Sequence, residues 1–204
     1  MNCFPIMLRL EGRACVVVGA GRIAATKAAG LLRHGAEVVV VAPNAVRWIR
    51  EKARAGELVW RRRPFSARDL RGAFLVVAAT DSAASNRAVF HACQARGALC
   101  NVVDDPEHCD FFYPAVVRRG PLQIAISTNG NSPALAARLR KELERQFGLE
   151  WGAFVEHVGK LRQLLLSANM PLKKKREQIM GLAGQKAFLS FRRKLARATR
   201  PRSR

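Results

Sequence analysis

A chain of 204 residues holds one large domain or two small ones with a buried core. Its apolar fraction of 49% excludes disorder throughout, and no apolar run reaches the roughly 18 residues of a membrane span. The net charge of +21 is extreme and uneven: from Pro171 onward, 12 Lys or Arg face one acid, Glu177. That stretch reads first as a solvated basic helix with a frayed end. A nucleic-acid partner is not expected, because no aromatic RNA- or DNA-binding motif accompanies the charge. Met1 to Leu10 lacks the basic start and long apolar core of a signal peptide. Five cysteines without a CxxC pair fit a reducing cytoplasm and argue against a disulfide framework or a structural zinc.

Phe4 to Leu8 is an extended lead-in, and the β-branched run Ala14 to Val18 predicts the first strand. Gly19-Ala20-Gly21-Arg22-Ile23-Ala24 then turns into a helix, Arg22 to His34. Its apolar positions Ile23, Ala24, Ala28, Leu31 and Leu32 recur at helical spacing. Strand, glycine turn and helix start in this order predict a dinucleotide site. Gly19 permits the sharp turn, Gly21 lets a pyrophosphate approach the backbone, and Ala24 stands where a third small residue keeps helix and strand in contact. The unpaired N–H groups of the first helical turn would receive the phosphate charge. Lys27, one turn further on, is either solvated or reaches a ligand.

Gly35 ends this helix, and Glu37 to Val41 is the second strand. The carboxylate expected at its end, to hold the ribose, is missing: Val41 runs into Ala42-Pro43-Asn44. Ribose contact falls to backbone or to Asn44, and Arg47 leaves room for a 2′-phosphate. These residues alone do not choose between NAD and NADP.

A helix from Ala45 to Ala55, a strand at Leu58 to Trp60 and an exposed basic run, Arg61 to Arg63, come next. Ala73 to Ala79 is the most apolar strand. It ends in Thr80-Asp81-Ser82, which are cofactor contacts or helix caps, before a helix from Asn86 to Ala95. Leu99 to Val103 is the next strand. The alternation gives the α/β class, with a Rossmann-like parallel sheet.

Beyond it the character changes. An acidic loop, Asp104 to Asp110, is followed by two strands, Phe111 to Val117 and Leu122 to Ser127, joined at Arg118–Pro121. Ser132 caps a helix from Ala134 to Phe147, with Pro133 at its first position. Further helices are expected at Trp151 to Leu166 and, in one piece weakened by Gly181 and Gly184, at Lys173 to Ala198. The expected organisation is a Rossmann domain at 1–112, a small α+β dimerisation and substrate region at 113–149, and a basic helical C-terminal region at 150–204.

Three motifs now stand in order: Val18-Gly19-Ala20-Gly21 with Lys27, Asn101-Val102-Val103-Asp104-Asp105-Pro106, and Ile126-Ser127-Thr128-Asn129-Gly130-Asn131-Ser132-Pro133-Ala134-Leu135-Ala136. Together they resemble the precorrin-2 dehydrogenase and ferrochelatase module of sirohaem synthase. The resemblance implies NAD as cofactor and oxidation of the tetrapyrrole precorrin-2 to sirohydrochlorin. In many relatives ferrous iron is a second substrate. It also implies a homodimer that exchanges the segment 113–149, away from any membrane. Its general base maps onto Asp104, and its cofactor contacts onto Gly21, Arg22, Ile23, Pro43, Asn44, Thr80 and Asp81. Thr128 corresponds to the serine of the family's S-S/T-G-G loop, while Asn129 departs from the usual glycine. The methyltransferase that some relatives carry is not expected here.

The residues suit this chemistry. Arg118, Arg119, Arg138 and Arg140 would steer a substrate rich in carboxylates, and contacts are expected from Asn101, Thr128, Ser132, Arg118 and Arg138. Asp104, with partial burial and Asp105 beside it, is placed to accept a proton; turn chemistry before Pro106 is the other reading. No metal ligand is assigned, since His108 and Cys109 are loop neighbours without converging spacing. Two other classes stay open. A regulatory NAD-sensing module would need the glycine turn but not Asp104, and a nucleic-acid binder would work through the basic stretch alone.

Overall fold

Runs of β-branched residues suit strands buried on both faces, and here they build a parallel sheet. The computed structural model describes residues 3–198. In it β1 (Ala14–Val18), β2 (Glu37–Val41), β3 (Val59–Arg61), β4 (Leu75–Ala78) and β5 (Leu99–Val102) form one sheet in the order β3-β2-β1-β4-β5. All its pairings are parallel. Val18 pairs with both Val41 and Ala78, so three carboxyl ends finish level where the strand order reverses. Ligands of doubly wound sheets bind at that edge.

Alternation along β1 sends its side chains to opposite faces. Cys15 and Val17 pack with Ala24, Ala28 and Leu31 of α1 (Arg22–Arg33) and with Ile49 of α2 (Arg47–Arg54). Val16 and Val18 pack with Val89 and Cys93 of α3 (Ala83–Gln94). Ile23 is not part of this core; it is 51% exposed at the helix start. α3 begins three residues before its expected start, because the Ser82 hydroxyl accepts the Ser85 N–H at 3.2 Å and caps it there. α2 begins two residues late, after an extended Val46.

The run Arg61 to Arg63 is not simply exposed. Arg61 and Arg63 both turn to the buried carboxylate of Asp69, at 2.6 and 2.5 Å, and the Ser66 N–H donates to it at 2.9 Å. Burial alone would raise the Asp69 pKa. The bonds from Arg63, Ser66 and Arg61 outweigh that and hold it at about 2.

Cys3 to Tyr113 form one compact unit, and a second unit begins at Pro114. In the second, β6 (Ala115–Arg119) and β7 (Leu122–Ile126) make an antiparallel hairpin. β6 starts at Ala115 and not at Phe111, since Pro114 cannot donate to the ladder. α4 (Pro133–Gln146) and α5 (Glu150–Ser167) follow. The hairpin turn lies against α5 so closely that a Cβ on Gly152 would sit 3.0 Å from the Arg119 carbonyl.

The expected single last helix is two, α6 (Leu172–Leu182) and α7 (Gln185–Ala198), broken beside Gly184. The break turns α7 back onto α5. Phe188 stacks on Trp151 at 4.0 Å and meets Phe154 edge-on at 5.2 Å, and it is only 9% exposed. This part of the basic stretch is therefore packed rather than merely solvated. Its expected frayed end, 199–204, lies outside the described residues. No helix among the described residues is long and apolar enough to cross a membrane.

Candidate active site

The glycine turn carries two different demands. Gly19 has φ +106°, and a Cβ there would lie 2.2 Å from the Ala79 carbonyl oxygen, so the ends of β1 and β4 require its bareness. Gly21 is different. Its backbone is ordinary, and a Cβ would meet nothing within 4 Å. It is the N-cap of α1, yet no side chain caps that helix and no acid stands in its first turn. The backbone N–H groups of the exposed Arg22 and Ile23 are thus left without a helical partner at the open end of α1, with the helix dipole behind them. These residues fit a pyrophosphate.

At the end of β4 the backbone of Thr80 is gripped by Asn86. The Thr80 N–H and hydroxyl donate to Asn86 Oδ1 at 3.1 and 2.7 Å, and Asn86 Nδ2 returns a bond to the Thr80 carbonyl at 3.1 Å. Asp81 is exposed beside it. Asn86 was not singled out from the sequence. The available signal was a polar residue in line with Val89, Phe90 and Cys93 on the buried side of α3. Pro43 and Asn44 are exposed after β2, and the loop they start is tied to the glycine turn, since the Val46 N–H donates to the Ala20 carbonyl at 3.0 Å.

Asp104 follows β5 in a turn closed by the Asp105 N–H on the Val102 carbonyl at 3.4 Å. Its φ of +61° is in the left-handed region, where a residue with a side chain is uncommon. Asn129 shares this trait, with φ +50°. A glycine would be free there and asparagine is the next most tolerant residue, which explains why this chain departs from glycine without reshaping the backbone.

Partial burial belongs to Asp105 and not to Asp104, which is exposed. Asp105 Oδ2 lies 2.9 Å from His108 Nδ1, an ion-pair distance without hydrogen-bond alignment. Asn101 is buried and donates its amide to the Phe111 carbonyl at 2.9 Å and to Cys109 Sγ at 3.3 Å. Its side chain braces the loop. Cys109, read first as a metal-ligand type, is the hub of this bonding. Among the described residues no three His, Cys, Asp or Glu side chains converge as a metal site.

Lys27 is half-buried and not simply solvated. Its Nζ lies 3.6 Å over the Tyr113 ring. Burial pushes the ammonium below its ordinary range, and the Asp104 carboxylate opposes the fall. A desolvated lysine that feels the candidate base is a functional signal.

In the second unit Ser132 caps α4, its hydroxyl accepting the Leu135 N–H at 3.2 Å, and Thr128 Oγ1 accepts the Ser132 N–H at 3.1 Å. The expected arginine rim is only partly available. Arg119 donates to the Phe147 and Glu144 carbonyls at 2.6 and 2.9 Å, closing the end of α4. Arg140 pairs with Glu144 at 2.5 Å. Arg138 is 68% exposed and 3.5 Å from Glu142, a pair worth about 0–1 kcal/mol, so a ligand can displace it. Arg118 is exposed.

Fold and turn define a Rossmann dinucleotide-binding unit followed by a hairpin-and-helix unit. The chain belongs to the putative NAD(P)-binding family, which it matches over residues 6–115. Residues 119–146 match a second family, sirohaem biosynthesis protein central. The expected NAD cofactor and the resemblance to the sirohaem synthase module agree with both. The sirohaem synthase of Photorhabdus laumondii is 41% identical over 163 residues, covering 80% of this chain and 35% of that protein. That of Nitrosococcus oceani is 35% identical over 188 residues, covering 92% and 38%. The chain thus spans about a third of the length of the curated relatives it matches. Among solved structures, SirC, a precorrin-2 dehydrogenase, is 27% identical with a TM-score of 0.78, covering 96% of this chain and 100% of that one.

Proposed function

We propose that this protein oxidises precorrin-2 to sirohydrochlorin with NAD, in the cytoplasm, as a step of sirohaem formation. The observation that carries the reading is Asp104. A carboxylate is held in the left-handed region at the carboxyl end of β5, in the same sheet whose β1 leads into the glycine turn. Backbone strain of this kind persists where surrounding bonds impose it, and such positions cluster at sites of chemistry.

The first-turn N–H groups of Arg22 and Ile23, opened by Gly19 and Gly21, hold the pyrophosphate. Pro43 and Asn44 border the ribose, and Thr80 and Asp81 the remaining cofactor edge. Bound there, the nicotinamide supplies the hydride acceptor. Asp104 takes the proton that leaves with the hydride, and Lys27 stands close enough to interact with that carboxylate. Asn101 braces the loop, while Thr128, Ser132, Arg118 and Arg138 of the second unit hold the substrate's carboxylates. The same Asp104 accepts pyrrole protons when ferrous iron enters as a second substrate. A homodimer is supported by exposed apolar side chains of the second unit, among them Leu149, Leu164, Leu172 and Met180.

Anaerobic incubation with precorrin-2 and NAD, with and without ferrous iron, followed by absorbance, tests both activities. Sirohydrochlorin is the expected product without iron, and sirohaem with it. NAD binding with no turnover of precorrin-2 would instead establish a sensing module.

A further inference from the structure

Lys27 stands on the packed side of α1. It comes three residues after Ala24 and four before Leu31, both buried, so its stem follows the apolar stripe of the helix. The residue is half-buried, and its Nζ lies 3.6 Å over the Tyr113 ring. That ring is itself held. Phe111 meets it edge-on at 5.5 Å, and the Phe111 carbonyl accepts the Asn101 amide at 2.9 Å. The ammonium therefore has a fixed seat near the loop of Asp104.

That seat supplies no strong acceptor. An ammonium carries three donors, and among the described residues none of the three meets a hydrogen-bond or ion-pair partner in the protein. The Asp104 carboxylate and Cys109 act on it through space, without an ion-pair contact. A ring face gives a desolvated cation less than a charged oxygen does, so this position suits an incoming anion. The neighbours decide which anion. The pyrophosphate is assigned to the start of α1, and Lys27 lies about 6 Å further along the axis than Ile23. The nicotinamide carries no negative charge. The tetrapyrrole is rich in carboxylates and has to come to Asp104. Its other carboxylate contacts proposed above belong to the second unit, whereas Lys27 belongs to the first, with the base.

We infer that Lys27 is a further substrate-binding residue, whose ammonium, seated on the Tyr113 ring, takes a carboxylate of the tetrapyrrole beside Asp104. The inference rests on the dehydrogenase reading above and deepens it.

Lys27→Met, Lys27→Arg and Tyr113→Leu in the full chain test it, by kinetics in precorrin-2 at saturating NAD, absorbance titration with sirohydrochlorin and calorimetry with NAD. Methionine keeps an apolar stem of similar length, so the helix should stay packed. It should raise KM for precorrin-2 and weaken sirohydrochlorin by about tenfold or more, with kcat changed far less, as for one lost charge-assisted bond. Arginine keeps the charge and should recover most of both. Tyr113→Leu, which removes the seat, should raise KM in the same direction, and NAD affinity should stay constant throughout. Unchanged KM and sirohydrochlorin binding in Lys27→Met would leave Lys27 a packing residue and overturn the inference. A fall in kcat at unchanged KM, not restored by arginine, would make it a proton-transfer group and overturn it equally. NAD weakened as much as sirohydrochlorin would assign the ammonium to the cofactor instead. An unaltered protein that binds NAD but neither oxidises precorrin-2 nor binds sirohydrochlorin would overturn the dehydrogenase reading itself.

Discussion

Cys109 and Val102 exchange two hydrogen bonds across the loop that carries Asp104. The Val102 N–H donates to Sγ at 3.3 Å, and the thiol donates back to the Val102 carbonyl at 3.2 Å. The Asp105 carbonyl, at 3.3 Å, is the thiol's second acceptor, and burial raises the thiol pKa above its ordinary 9.0. A protonated sulfur therefore holds both sides of Asp104. Cys109→Ala should slow precorrin-2 oxidation and cost about 1–3 kcal/mol, because backbone groups lose their partners. Cys109→Ser, which keeps a donor and acceptor, should recover most of both. An alanine variant with normal turnover and normal melting would deny the loop this support.

Asp104→Asn is the direct test of the base. Asparagine tolerates φ +61° as well as aspartate does, so the turn should survive. Loss of the proton acceptor should lower the dehydrogenation rate by about 10²–10⁴ while NAD affinity stays near normal. Iron insertion should fall with it. A rate close to that of the unaltered protein would move the role to Asp105.

The two glycines of the turn should separate stability from binding. Gly21→Asp places a charge where the proposed pyrophosphate would lie but meets nothing in the protein, so NAD affinity should collapse at unchanged melting temperature. Gly19→Ala must push a Cβ against the Ala79 carbonyl, and a stability loss of about 1–3 kcal/mol is expected from crowding alone. Calorimetric NAD binding by Gly21→Asp at normal affinity would sink the pyrophosphate assignment.

Asp69 gives a pH signature. Its folded pKa of about 2 lies below the ordinary 3.8, so the unfolded chain binds the proton more readily. The stabilisation is present above pH 3.8 and is lost as pH falls through about 2. It amounts to about 2 kcal/mol, and Asp69→Asn should lose it at neutral pH, with the gap from the unaltered protein closing in acid. Denaturant titrations at several pH values measure this.

Phe188→Ala removes the ring stacked on Trp151 and should cost about 3–5 kcal/mol by denaturant unfolding followed through tryptophan fluorescence. Neutralising Lys173, Lys174 and Arg176, all exposed on α6, should change stability little. Removing the chain beyond about Asn169 would uncover Trp151 and Phe154, so the shortened protein should lose solubility.

The sheet and the glycine turn at its edge are written in local stretches of the chain. Val16-Val17-Val18, the valines of the second strand and the glycine turn are local signals, and periodicity needs no distant partner to be read. The three spaced motifs carried the family in the same way. How the polar side chains are spent depends on the path of the folded chain. Arg61 and Arg63 are consumed by Asp69 and Arg62 is not, although the three are neighbours. Arg119 serves the end of α4, Asn101 and Cys109 brace a loop, and Asn86 holds Thr80. Each of these bonds joins residues brought together by the chain's path, and a buried donor or acceptor takes whatever partner that path supplies. The same holds for the basic C-terminal stretch, where charge outside concealed Phe188, buried against an aromatic pair 34 and 37 residues earlier in the chain.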